Sequence, residues 1–145
     1  MNLKVLWTIS DSMGTVSDLE MLRSIKGMNI DIITADREDK DSLGFAVTGK
    51  KYIIPHGKTP DYIKYVKAIC KKESITTLVP QYGDELLPLS RNISLFDNLG
   101  VKVIITPDAH KLNIANNKTA LYKYFNGSSF VPLYRCVSTL EEIEK

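Results

Sequence analysis

Leu78-Val79-Pro80-Gln81-Tyr82-Gly83-Asp84-Glu85-Leu86 decides the fold. An apolar strand stops at a proline, a polar and acidic turn follows, and leucines resume on a helix. Downstream, Gly100-Val101-Lys102-Val103-Ile104-Ile105-Thr106-Pro107 gives another apolar strand ending in a turn, and Asn117-Lys118 lies one short helix later. Upstream, Leu3 to Ile9 is a compact apolar run bounded by Ser10-Asp11-Ser12, and Asn29 to Ala35 is a second. These strands are continuously rather than alternately apolar, which fits a sheet covered on both faces.

The rest of the chain fills in the alternation. Thr15 is expected to cap a first helix, with Asp18 three residues on and Leu19, Leu22, Ile25 and Met28 as its apolar stripe. Asp36 to Lys50 reads as a polar loop, with Leu43, Phe45, Ala46 and Val47 able to tuck inward. Tyr52 to Pro55 is a short third strand. Thr59 is expected to cap a helix with Pro60 at its first position and Ile63, Val66, Ile69 and Cys70 on its buried face. Thr76 to Pro80 is the fourth strand, Asp84 to Leu99 one helix ended by Gly100, and Val101 to Ile105 the fifth strand. Thr106-Pro107 opens a helical segment toward Ile114, and a second holds Leu121, Tyr122 and Phe125 before Asn126-Gly127. This order predicts an α/β fold: a three-layer, doubly wound, Rossmann-like parallel sheet of five strands in the order 3-2-1-4-5.

Composition bounds the function. The 145 residues suit one domain with a real core. With 19 basic and 17 acidic residues the net charge is +2, too balanced to argue for nucleic acid. Cys70 and Cys136 have no Cys or His at metal-ligand spacing, and His56 and His110 have no partner in sequence. Cys70 falls on an apolar helix face and reads as a buried free thiol. No apolar run approaches the roughly 20 residues that span a bilayer, and no signal peptide is legible. The expectation is a cytoplasmic protein that binds neither nucleic acid nor membrane, with an oligomer possible.

In open α/β sheets, ligands bind beyond the carboxyl ends of the strands, where strand order reverses. Here that crevice lies between strands one and four. Its lips are Ser10, Asp11, Ser12, Met13 and Gly14 on one side, and Gln81, Tyr82, Gly83, Asp84 and Glu85 on the other. Ser10, Asp11, Gly14, Gly83, Asp84 and Glu85 are therefore the candidate substrate-binding residues. Asp84 and Glu85 also oppose the helix dipole, which alone can explain them. The turn Ser-Asp-Ser-Met-Gly-Thr has one glycine where a dinucleotide fingerprint needs three, which argues against Asp36 as a ribose acceptor. Gly49-Lys50-Lys51 lacks the hydroxyl residue and glycine spacing of a phosphate loop.

The layout resembles the pre-ATP-grasp domain of ATP-grasp enzymes, the superfamily of carbamoyl-phosphate synthase large chains, biotin carboxylases and carboxylate–amine ligases. The pieces that carry the resemblance are Val79-Pro80 with Gly83-Asp84-Glu85-Leu86, the Thr-Pro after strand five, Asn117-Lys118, and Val131-Pro132. The resemblance implies an N-terminal domain over residues 1–134, with 135–145 starting a following segment that the chain cuts short. It implies that Lys118 reaches an ATP phosphate, with Asn117 standing where the family has an acid. It implies ATP and Mg²⁺ in the full-length protein, neither held tightly by this chain, and a carboxylate activated as an acyl phosphate for transfer to an amine. Ser138-Thr139-Leu140-Glu141 reads as a capping box, with Glu141 reaching back to Ser138. Two other classes compete: a stand-alone metabolite-binding or regulatory α/β domain, and the first half of a glycosyltransferase-like or dehydrogenase-like enzyme.

Overall fold

A computed structural model describes residues 2–37, 42–129 and 131–143. Five strands, β1 (Asn2–Thr8), β2 (Asn29–Asp36), β3 (Lys51–Ile53), β4 (Thr77–Val79) and β5 (Lys102–Val103), form one sheet. Its order is β3-β2-β1-β4-β5 and every pairing is parallel, as the sequence predicts. Helices α1 (Thr15–Arg23), α2 (Leu43–Val47), α3 (Tyr62–Glu73), α4 (Gly83–Arg91) and α5 (Ile93–Asp97) connect the strands.

The register sorts the side chains into two cores. Leu6 stands beside Ile33 and Leu78, and these join Tyr62, Val66, Ile69, Cys70, Leu89 and Phe96 from α3, α4 and α5. One residue away in each strand, Val5, Trp7 and Ile32 turn to the other face and pack on Leu19 of α1. This period-two split explains why the strands read as continuously apolar. Cys70 is buried, and burial pushes its thiol up to about 12.

The helix boundaries move where side chains redirect the backbone. Thr15 does not cap α1: Gly14 holds that position, and the Thr15 hydroxyl is buried without a hydrogen-bond partner among the described residues. Thr59 does not cap α3, because its hydroxyl donates back to the His56 carbonyl at 2.7 Å; the helix starts at Tyr62 after Asp61. The single helix expected over 84–99 is two. The Asn92 side-chain amide donates to the Pro88 carbonyl at 2.9 Å while its backbone N–H bonds only three residues back, to Leu89. That local competition breaks the helix at Asn92. Within the Asp36–Lys50 segment, residues 38–41 lie outside the described residues and the short helix α2 replaces part of the expected loop.

At the amino end of the sheet, the Glu73 carboxylate ends α3 and gathers Lys50 Nζ at 2.5 Å, Lys4 Nζ at 3.6 Å and the Tyr52 hydroxyl. The Lys50 hydrogen bond, then that of Tyr52, holds its carboxyl down to about 2, below the ordinary 4.5. That stabilisation is present above the ordinary value and is lost as pH falls from 4.5 toward 2.

The chain divides into two compact units, Met1–Pro107 and Asp108–Lys145. The second holds α6 (Ala109–Ala115), α7 (Lys118–Tyr124) and a 3-10 turn (Leu140–Glu142). Asp108, not Thr106, caps α6, accepting from Lys111 N at 3.0 Å. Asn117 caps α7, accepting from Ala120 N at 3.0 Å. Asn serves this role as well as Asp does. Glu142 rather than Glu141 reaches back, accepting from Ser138 N at 2.6 Å, because the turn begins one residue later than a Ser138 cap requires.

Candidate functional site

Because β1 and β4 are parallel neighbours, the Ser10–Gly14 and Gln81–Glu85 loops leave the same end of the sheet. The two are bridged directly. Thr8, the last residue of β1, donates its hydroxyl to Glu85 Oε2 at 2.8 Å. Tyr62 from α3 donates to Glu85 Oε1 at 2.6 Å, and Tyr82 N donates to Oε2 at 3.2 Å. Glu85 is fully buried. Burial raises its carboxyl above the ordinary value, while the Tyr62 and Thr8 hydrogen bonds oppose that rise. The same contact, after burial itself, drives the Tyr62 phenol far above its normal range.

The six residues expected to share one concavity do not all face one another. Ile9 adopts a φ of 48°, a left-handed conformation that costs a β-branched residue about 1–3 kcal/mol. After this turn the chain is bonded toward β2. Ser10 is fully buried against Ser42 Oγ at 2.9 Å and Asp36 Oδ2 at 3.4 Å, and Asp11 N donates to the same Asp36 oxygen at 2.8 Å. Asp36 therefore serves as the anchor of this loop. Gly14 and the Asp11 side chain reach the surface.

Asp84, one residue before Glu85, turns the other way. Its Oδ2 lies 3.2 Å from His56 Nε2 and its Oδ1 2.8 Å from Lys58 Nζ. His56 Nδ1 accepts from Lys58 N at 3.2 Å, so Nε2 is the protonated nitrogen that meets Asp84. Asp84 in turn raises the Lys58 ammonium above its ordinary value. A Cβ on Gly57 would stand 2.7 Å from the Asp84 carbonyl oxygen, so only glycine lets this loop lie so close to the start of α4. Tyr82 completes the rim: the Arg37 guanidinium sits 5.0 Å over its ring and His56 meets it edge-on at 6.4 Å.

The rim thus offers one carboxylate, Asp84, between two nitrogen donors, with Arg37 close by over Tyr82. It can exchange a bound cation at Asp84 or take an anion at Lys58, His56 and Arg37. Sequence reasoning singled out Asp84 and missed His56, Lys58 and Arg37. The close-approach glycine between His56 and Lys58 was the available signal.

Lys118 opens α7, exposed. It can offer one ammonium to a phosphate, which is one edge of a nucleotide site. Among the described residues no group of three or more His, Cys, Asp or Glu is placed to hold a metal ion. No helix among them is long and apolar enough to cross a membrane.

The sequence model of the family described as PylC-like, N-terminal domain, matches residues 12–104. Among solved structures, glycinamide-RNase-transformylase T from Mycobacterium tuberculosis superposes with a TM-score of 0.59 at 10% identity. The match covers 89% of this chain and 36% of that one, and at this identity it speaks for the fold. A comparison with curated proteins gives no match.

Proposed function

The chain belongs to the family of PylC-like N-terminal domains, and on that premise we propose that it is the substrate-side, pre-ATP-grasp domain of an ATP-dependent ligase. In this reading the whole protein activates a carboxylate as an acyl phosphate and passes the acyl group to an amine or similar nucleophile. Bound ATP with Mg²⁺ supplies the phosphoryl group for that activation. The family match over residues 12–104 carries the reading, and the rim gives it chemistry.

The exposed lips of the crevice do the recognition. Asp84 holds the substrate's ammonium in place of Lys58, whose ammonium is well exposed and free to swing away. Lys58 and Arg37 then meet an anionic group of the same molecule, Gly83 lies beside Asp84 on the same lip, and Asp11 and Gly14 shape the opposite wall. Ser10 and Glu85 act from beneath, holding the two loops in register without touching substrate. Lys118 meets an ATP phosphate.

Variants of the full-length protein test these roles through ADP formation with a carboxylate and an amine supplied. Asp84→Asn is expected to raise KM for the amine about tenfold or more with a smaller change in kcat. Lys118→Ala is expected to lower ATP-dependent turnover about ten- to hundredfold at an unchanged melting temperature. Turnover and ATP KM both unchanged in Lys118→Ala would return that residue to an ordinary solvated lysine. An amine KM untouched by Asp84→Asn would remove the rim from substrate binding.

A further inference from the structure

Helices α3 and α5 flank a groove of about 570 Å³ that the crevice chemistry does not use. Its apolar lining includes Ile63, Ala68 and Leu95, and Lys64, Lys67 and Lys71 line it as well. Spaced three and then four residues apart, these lysines share one face of α3 and repel one another. Among the described residues none of the three is in an ion pair. The needs of α3 itself account for only one of them. Lys71 lies in the last turn, where a cation complements the helix dipole. Lys64 lies in the first turn, where a cation opposes the dipole, and that turn holds no acid. Lys67, between them, is half-buried. From Ile63 to Lys71 the groove follows α3 for about 12 Å, a little over two helical turns. Its lining has neither an arginine nor an aromatic ring with which to grip a nucleic acid.

We propose that this groove docks an acidic amphipathic helix of a partner protein. The partner's apolar side chains, three and four residues apart, lie on Ile63, Ala68 and Leu95. Its carboxylates meet Lys64, Lys67 and Lys71. Charge complementarity selects this occupant: an unpaired row of ammonium groups along an apolar groove fits a helix with acids beside its apolar stripe. The inference stands on the groove alone and is independent of the ligase reading.

A fluorescein-labelled peptide that repeats Glu-Leu-Leu-Glu-Glu-Ala-Leu twice is the probe. Titrated with the 145-residue chain, its anisotropy is expected to rise saturably, with half-saturation at or below about 100 μM. The same peptide with lysine for every glutamate, and another with serine for every leucine, are each expected to bind at least about tenfold more weakly. Lys64→Glu combined with Lys71→Glu changes two exposed side chains. This variant is expected to weaken the acidic peptide about tenfold or more at a nearly unchanged melting temperature, and to strengthen the lysine peptide. No saturable rise, equal binding of the serine peptide, or full affinity in the charge-reversed chain would each overturn the proposal. Tighter binding of oligodeoxythymidylate or of phosphatidylserine vesicles through the same lysines would also overturn it, making the groove a nucleic-acid or membrane contact.

Discussion

Glu85→Ala is expected to lower the unfolding free energy by about 3 kcal/mol or more. The substitution leaves the buried Tyr62 hydroxyl and the part-buried Tyr82 N–H without their acceptor, and leaves the buried Thr8 hydroxyl only the Val79 carbonyl at 3.5 Å. Each unpaired buried donor costs about 1–3 kcal/mol, and the cavity left by the side chain adds to that. Glu85→Gln keeps the shape and one acceptor. Its NH₂, however, must face either Tyr62 at one oxygen or the two donors at the other, so about 1–2 kcal/mol is expected. Urea unfolding of the three proteins measures both. A cost below about 1 kcal/mol for the alanine variant would mean that the buried carboxylate does not hold β1, α3 and α4 together.

The pH dependence carries a separate signature. The folded-state carboxyl of Glu85 lies above its ordinary value, chiefly through burial. Its contribution to stability is therefore full below the unfolded value and is lost as pH rises through the raised one. Glu73 slopes the opposite way, losing its contribution as pH falls from 4.5 toward 2. Glu85→Gln should flatten the first limb and leave the second in place.

Gly44→Ala is expected to cost about 1–3 kcal/mol by overpacking. A Cβ there would stand 2.2 Å from the Ser10 Cβ, 2.6 Å from its Oγ and 3.0 Å from its carbonyl oxygen. Ser10 has no room to yield, being fully buried, and Gly44 N already donates to its carbonyl at 3.0 Å. Relief would have to come from the β1–α1 loop, which would carry Asp11 with it. A double-mutant cycle with Ser10→Gly isolates the clash: the pair should cost less than the sum of the singles. Simple additivity would locate the damage elsewhere.

The fold was legible because it rests on burial, and burial writes itself into sequence as apolar runs of strand length. Leu3–Ile9, Asn29–Ala35 and Leu78-Val79 sit where the runs put them, and parallel connection then leaves few strand orders. Boundaries were less legible because they turn on single side chains. Asn92 and Thr59 each had two hydrogen-bonding choices, and sequence does not say which carbonyl wins. Of the site, Asp84 and Glu85 announced themselves as acids opening a helix, yet nothing in the dipeptide says that one faces solvent and the next is sealed. His56 and Lys58 were invisible as partners because they lie on the β3–α3 connection, 28 and 26 positions from Asp84 in sequence, counted from the numbering. Only the crossover of α3 back to β4 brings them there.

Calorimetric titration of the 145-residue chain with Mg-ATP tests most directly whether this is the substrate side of a ligase rather than a nucleotide site in its own right. With Lys118 as the one phosphate contact assigned to it, the chain should show no saturable heat up to about 1 mM nucleotide. A dissociation constant below about 1 μM would contradict the account and make the chain a complete nucleotide-binding module.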